Sequence, residues 1–203
     1  MKRALDVIGA AVGLTVASPL LLGISVALLL TQGWPVVFVQ ARPGRYGEPF
    51  PLYKFRTMRN ARDGDGRPLP DAQRITRIGR FLRQTSLDEL PELVNVLRGD
   101  MSLVGPRPLL MSYLDRYTPE QARRHDVRPG LTGLAQVEGR NELTWEERFR
   151  HDVWYVDHVS VWLDLKILAR TVGMVLRREG ISHPAHATMY EFEGTTDPGQ
   201  PAS

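Results

Sequence analysis

The sequence has no cysteine among its 203 residues. That excludes disulfides, thiolate-bound zinc and a thiol nucleophile. Lysine is nearly absent too: of 26 basic residues, only Lys2, Lys54 and Lys166 are lysine. The remainder is arginine, whose planar fork suits bidentate phosphate contacts, although a codon bias of the genome accounts for many of them equally well. Histidine is sparse. His125, His151, His158, His183 and His186 lack the spacing of zinc ligands, so they read as structural or surface residues. There is no internal repeat and no sign of a second globular domain. What is present is 42% apolar residues and a net charge of +3, enough for one domain with a real core.

An apolar run spans Ala4 to Leu30, broken by Asp6 and small polar residues. As a helix it would be about 40 Å long, enough to cross a bilayer. It is too long for the core of a secretory signal, and no small-x-small cleavage site closes it. Ser18-Pro19 falls in its middle. A mid-helix proline removes a hydrogen bond and bends the axis, and the Ser18 hydroxyl can serve the carbonyl so freed. Positive charge flanks the run on both sides, with Lys2 and Arg3 before it and Arg42 and Arg45 after it. A straight span would carry one group across, against the positive-inside tendency. A helix bent at Ser18-Pro19 that enters and leaves on one face satisfies both observations; a kinked span is the alternative. Asp6 is the costly residue. Near the helix end, it is expected to reach the interface or pair with Arg3.

Val36 to Gln40 reads as a strand, Arg42 to Pro49 as a turn and Phe50 to Met58 as a returning strand. Such a hairpin carries Lys54 and Arg56 on one face. Asp63 to Pro68 is a polar loop; its DxDG resembles part of a calcium loop without the downstream glutamate. Gln73 to Arg83 reads as one basic amphipathic helix, either lying on an anionic membrane surface or simply solvated. Pro129 to Gln136 is glycine-punctuated and suits close backbone approach. Trp145 to His158 and Val161 to Arg178 read as helices. Trp154, Tyr155 and Trp162 either sit at a membrane interface or pack in the core. Thr195 to Ser203 reads as a disordered tail.

Between these segments, Arg83-Gln84-Thr85-Ser86-Leu87-Asp88-Glu89-Leu90-Pro91-Glu92-Leu93 places two adjacent carboxylates at the start of a helix running from Asp88 to Leu97. Helix N-termini favour anions. A carboxylate there is held ionised, as a nucleophile or a cation ligand. Ser86 to Glu89 also fits a capping box, in which case the acids merely cap the helix. Pro91 would then sit too deep, which favours a cap nearer Asp88. Further on, Arg107 stands between Pro106 and Pro108, a stiff backbone for aiming a guanidinium or simply a rigid turn.

Together, Lys2-Arg3-Ala4-Leu5-Asp6, Ser18-Pro19, Tyr53 to Met58, Thr85 to Pro91, Gly99 to Pro108 and Arg128 to Gly133 resemble the motifs of the bacterial sugar transferases, the small monotopic phosphoglycosyl transferases. The resemblance covers residues 1–194. It implies an α+β, mostly helical fold. A re-entrant membrane helix over 1–33 is kinked at Ser18-Pro19. A catalytic unit over 34–194 carries a small β-hairpin and amphipathic interfacial helices around the active site, and 195–203 forms the tail. The implied reaction moves a sugar-1-phosphate from a UDP-sugar to undecaprenyl phosphate and releases UMP, a first membrane step of glycoconjugate assembly. Mg²⁺ is the implied cofactor. The lipid bilayer, not nucleic acid, is the implied partner, at the cytosolic face of the bacterial inner membrane.

By the same resemblance, Asp88 is the nucleophile that forms a phosphosugar-aspartyl intermediate. Glu89 joins it in the catalytic dyad and at the metal. Lys54, Arg83 and Arg107 contact phosphate. Ser182-His183, His186 to Met189 and Glu191 to Gly194 resemble the tail of members that use UDP-N,N′-diacetylbacillosamine. UDP-N-acetylgalactosamine, UDP-N-acetylglucosamine, UDP-glucose and UDP-galactose stay open as donors. A basic membrane-anchored adaptor without turnover is the non-enzymatic alternative, but it leaves the Asp88-Glu89 pair unexplained.

Overall fold

A computed structural model describes residues 1–67, 69–139, 143–177 and 191–194. The apolar run forms one helix, α1 (Lys2–Gln32), whose buried residues are Asp6, Ala10, Ile24 and Leu28. They form one pair a turn apart on each arm. Ala10 belongs to a core with Leu93 and Val96, and Ile24 and Leu28 to a core with Phe55 and Leu82. Both arms therefore seat on the same globular body, while Val16, Ser18, Pro19, Leu20 and Leu22 stand exposed between them. Pro19 has no N–H for the carbonyl of Thr15, and Ser18 Oγ donates to that carbonyl instead, at 2.8 Å. The serine does the repair its position promised. Among the described residues, α1 is the helix long and apolar enough to cross a membrane.

Both ends of α1 are clasped. Lys2 Nζ donates to Asp164 Oδ2 at 2.6 Å, to the Val104 carbonyl at 3.0 Å and to the Tyr155 hydroxyl at 3.2 Å. Asp6 does not pair with Arg3. It is buried and accepts from Ser102 Oγ and Leu103 N–H, both at 2.9 Å, because a carboxylate removed from water needs donors. Arg3 turns instead to the carbonyls of Val96 and Leu97, at 2.6 and 2.8 Å. At the far end, Arg56 donates to the carbonyls of Gln32, Gly33 and Trp34, groups that a helix C-terminus leaves unpaired.

The hairpin is β1 (Val37–Pro43) and β2 (Pro49–Phe55), antiparallel from Val37 opposite Phe55 to Pro43 opposite Pro49. Because β2 ends at Phe55, Arg56 leaves the Lys54 face that alternation assigns to it and serves α1. Directly paired residues share a face, so Phe38, Gln40 and Arg42 lie beside Lys54, Leu52 and Phe50.

The basic helix expected over Gln73 to Arg83 is two helices, α2 (Asp71–Arg74) and α3 (Arg77–Gln84). Ile75 leaves the helix to bridge Met58, and Thr76 Oγ1 caps α3 by accepting from Gly79 N–H at 2.9 Å. At Gly79 a Cβ would lie 1.9 Å from the Thr57 carbonyl oxygen, so only glycine lets α3 dock there. Next come α4 (Glu92–Arg98), β3 (Ser102–Val104), α5 (Pro119–Ala122), β4 (Gly130–Thr132), α6 (Leu134–Glu138), α7 (Trp145–Asp157) and α8 (Val161–Arg177). Strands β3 and β4 pair in parallel, Ser102 with Gly130 and Val104 with Thr132. The close approach expected near Gly130 is to backbone: a Cβ there would sit 2.1 Å from Gly105 N.

The three aromatic residues divide. Tyr155 is core, whereas Trp154 and Trp162 are 45% and 78% exposed. The polar loop is an Asx turn, Asp63 Oδ1 accepting from Asp65 and Arg67 N–H. Ser182 to Met189 and the tail from Thr195 lie outside the described residues. Of the C-terminal motif, Phe192 is buried among Leu109, Tyr113, Trp145 and Phe149.

Candidate active site

Ser86 adopts a left-handed backbone, φ 56°, and makes no capping bond, so the capping box does not form. Leu87–Glu89 is a single tight turn and α4 begins only at Glu92, after Pro91. A proline just ahead of the first turn loses no helical hydrogen bond. The helix thus starts later than its sequence suggests, and Asp88 and Glu89 sit on the turn that precedes it. A left-handed non-glycine residue costs roughly 1–2 kcal/mol, and such strain gathers at functional sites.

The turn separates the two acids. Glu89 accepts from Lys54 Nζ at 2.9 Å and from Arg107 Nη1 at 3.2 Å, and its Oε1 also takes Arg107 Nη2. Burial pushes the Glu89 carboxyl up, but Arg107 and Lys54 outweigh it and hold the group well below the usual carboxylate range. Asp88 is 8% exposed and takes no hydrogen bond from the described residues. Burial, then the charge of Glu89, raises its pKa, while Lys54, Arg107 and Arg83 pull the other way. One acid is paired with two cations; its neighbour has its pKa raised.

Two features of this arrangement were not legible in the sequence. Glu92, one turn into the same surface, is buried and stands 3.1 Å from Lys54, so the lysine bridges two carboxylates. Burial and the charge of Glu89 push Glu92 up to about 7. Asn95, fully buried on α4, locks the hairpin to that helix. It accepts from Tyr53 N–H at 3.1 Å and donates to the Pro51 carbonyl at 2.7 Å and to Asp100 at 3.1 Å. That clamp aims Lys54 at the acids. A three-residue spacing from Glu89 was the only signal for Glu92; Asn95 looked like any helix residue.

The sequence-derived residues otherwise converge. Lys54, Asp88, Glu89 and Arg107 meet, and Arg83 is held beside them by a 3.0 Å hydrogen bond from its Nε to Thr57 Oγ1. Ser18 and Pro19 lie apart, in the middle of α1. Among the described residues, no three His, Cys, Asp or Glu side chains are grouped to hold a metal ion. Mg²⁺ seldom needs such a cage, since it takes one or two carboxylates and completes its shell with water and substrate phosphate. The carboxylate of Asp88, without a hydrogen bond from the described residues, fits that role. Glu89, already facing two cations, fits it less well.

The model of the bacterial sugar transferases matches residues 1–178. The chain belongs to the bacterial sugar transferase family. An uncharacterized sugar transferase of Bacillus subtilis, EpsL, is 53% identical over 197 residues, covering 97% of this chain and 98% of EpsL. The UDP-glucose:undecaprenyl-phosphate glucose-1-phosphate transferase of Caulobacter vibrioides is 46% identical, over 86% of this chain and 69% of its own. The undecaprenyl-phosphate galactose phosphotransferase of Salmonella typhimurium is 41% identical over 89% of this chain, which spans only 41% of that larger protein. Membership in this family of transferases removes the reading as a basic adaptor. The relatives' names differ in the sugar, so the family does not by itself assign one.

Proposed function

We propose that this sugar transferase moves a sugar-1-phosphate from a UDP-sugar to undecaprenyl phosphate through a covalent bond to Asp88. The observation that carries the reading is the contrast within one turn: a buried Asp88 that takes no hydrogen bond from the described residues, beside a Glu89 held by Lys54 and Arg107.

An Asp88 oxygen attacks the sugar-proximal phosphorus. The bond from that phosphorus to the bridging oxygen breaks, and UMP leaves with the electron pair. The product is a mixed anhydride between the Asp88 carboxyl and the sugar-phosphate. A phosphate oxygen of the acceptor then attacks the same phosphorus, and the bond to Asp88 breaks, restoring the carboxylate. Raising the pKa of Asp88 makes it a better nucleophile once ionised. Lys54, Arg83 and Arg107 offset the diphosphate charge that would repel it. Mg²⁺ entering with the diphosphate would supply further charge neutralisation, with Asp88 the best-placed carboxylate and Glu89 the second.

A two-step relay suits a soluble donor and an acceptor fixed in lipid, because the two need not be bound together. The packing of both α1 arms on one body supports re-entry, with the catalytic part on the cytosolic face of the inner membrane. For the donor, the C-terminal motif favours UDP-N,N′-diacetylbacillosamine. UMP release from a panel of UDP-sugars, with undecaprenyl phosphate and Mg²⁺, tests both points. Release with that donor alone supports the sugar. Release only with another donor discards the sugar and leaves the chemistry. No release with any donor overturns the proposal.

A further inference from the structure

Helix α4 grips β2 at two points one turn apart. Asn95 holds the backbone, through Tyr53 N–H and the Pro51 carbonyl. Glu92, three residues earlier and so on the same face of α4, meets the tip of a side chain: its Oε1 lies 3.1 Å from Lys54 Nζ. The backbone clamp alone cannot place that ammonium, because lysine carries its charge on a flexible four-carbon stem. A hold at the tip is needed as well, and the structure offers two, Glu89 at 2.9 Å and Glu92.

The two holds differ in exposure. The Glu92 side chain is 3% exposed, against 18% for Glu89, 21% for Lys54 and 32% for Arg107. Glu89, Lys54 and Arg107 therefore form the open side of the cluster, and Glu92 closes its back. The holds differ in company too. Glu89 keeps Arg107 if Lys54 turns away. Glu92 Oε1 is buried and has no hydrogen-bond partner beyond this ion pair. Losing Lys54 would strand it out of reach of water, which is costly. An anion arriving from the open side thus displaces Glu89 from Lys54 and leaves Glu92 in place.

We propose that Glu92 is a positioning residue, which holds Lys54 from behind while the ammonium exchanges Glu89 for a phosphate of the bound nucleotide. The proposal rests on the transfer reading above, in which Lys54 meets the donor diphosphate. Sealed from the open side, Glu92 acts only through Lys54. Its carboxyl, pushed up to about 7 by burial and by the charge of Glu89, accepts from the ammonium in either protonation state. It can therefore hold Lys54 without cancelling the charge that the phosphate requires.

The test uses the full-length protein in nanodiscs with UDP as the probe, its binding measured by calorimetry in the presence of Mg²⁺. Glu92→Gln and Glu92→Met both remove the charge and keep the length of the side chain, but only Glu92→Gln keeps an oxygen for Lys54. Glu92→Met is expected to bind UDP about ten-fold more weakly than Glu92→Gln. In a Lys54→Met background the two are expected to agree within about two-fold, since no ammonium is left to hold. UDP binding by Glu92→Met as tight as by Glu92→Gln, or tighter, overturns the proposal. So does a difference that persists undiminished after Lys54→Met, which would show that Glu92 acts through the fold. Where Glu92→Met does not fold, Glu92→Leu takes its place in the same comparison. A wild type that binds no UDP overturns this assignment together with the donor reading. UDP binding without UMP release from any donor defeats the covalent transfer alone, and the comparison of the two variants still reads Glu92.

Discussion

Arg124 with Asp152 and Arg107 with Glu89 are both ion pairs inside the protein, and Arg124 joins them by donating to the Arg107 carbonyl at 2.8 Å. The first pair is closed. Its side chains are 1% and 3% exposed, and Arg124 reaches Asp152 Oδ2 through both Nε and Nη2, at 3.1 and 2.7 Å. The second is partly open, at 32% and 18%, and it has Lys54 as a second cation and, as a neighbour, Asp88, which takes no hydrogen bond from the described residues. The same residue chemistry thus does two jobs. Where every charge is matched and dry, the pair fixes the backbone that presents Arg107. Where one carboxylate is left unmatched beside matched ones, a reactive group is preserved.

The difference predicts which substitutions abolish chemistry and which abolish the fold. The largest effect falls on Asp88→Asn, expected to lower UMP release at least ~1000-fold with no loss of melting temperature. The sign follows from the raised pKa of Asp88: the folded state disfavours its charged form, so neutralising it removes a cost at neutral pH. A variant that unfolds would erase the distinction between the two pairs.

Asp152→Ala should do the reverse. It strands a buried Arg124 and is expected to cost about 3–5 kcal/mol in denaturant unfolding, with activity lost only as the folded fraction falls. Stability equal to wild type would show that the closed pair does not hold the site together.

Glu92→Gln probes the acid that shares Lys54. Its folded pKa of about 7 lies above the ordinary carboxylate value of 4.5. The stability associated with its protonated form is therefore present at acid pH and lost as pH rises from about 4.5 towards about 7. Melting temperatures across this range should fall less steeply in Glu92→Gln than in wild type. Parallel curves would refute the shift.

The smallest effect is expected at Ser86. Ser86→Gly relieves a left-handed φ of 56° and should change stability by no more than about 1 kcal/mol, because glycine's larger unfolded-state entropy opposes the relief. A large fall in stability would mean that the serine side chain, and not its backbone, shapes the turn.

Most of the local structure was legible in advance. The period of apolar residues placed α1, α7 and α8. Alternation and turn residues located the hairpin, and the Ser18-Pro19 pair carried its own hydrogen-bond repair. Errors arose where one residue served a distant element. Arg56 looked like a strand residue beside Lys54 and went to the end of α1. Ile75 looked helical and bridged Met58. Asp6, expected at the interface or on Arg3, went to Ser102 and Leu103 of β3. In each case a backbone group elsewhere needed a donor, an acceptor or a bridge, and sequence spacing carries no record of such a need.

By itself, the sequence determined the kinds of group available: an apolar helix with Pro19 at its middle, two adjacent acids, and arginine as almost the only cation. These follow from composition and short-range geometry. Tertiary structure alone decided that Lys54 and Arg107 pair with Glu89, and that Glu92 and Asn95 join the site. Those outcomes depend on burial and on which charges face each other across α4, the hairpin and the Pro106–Pro108 turn. Electrostatic energy in a dry interior is set by such distances, not by the order of residues along the chain.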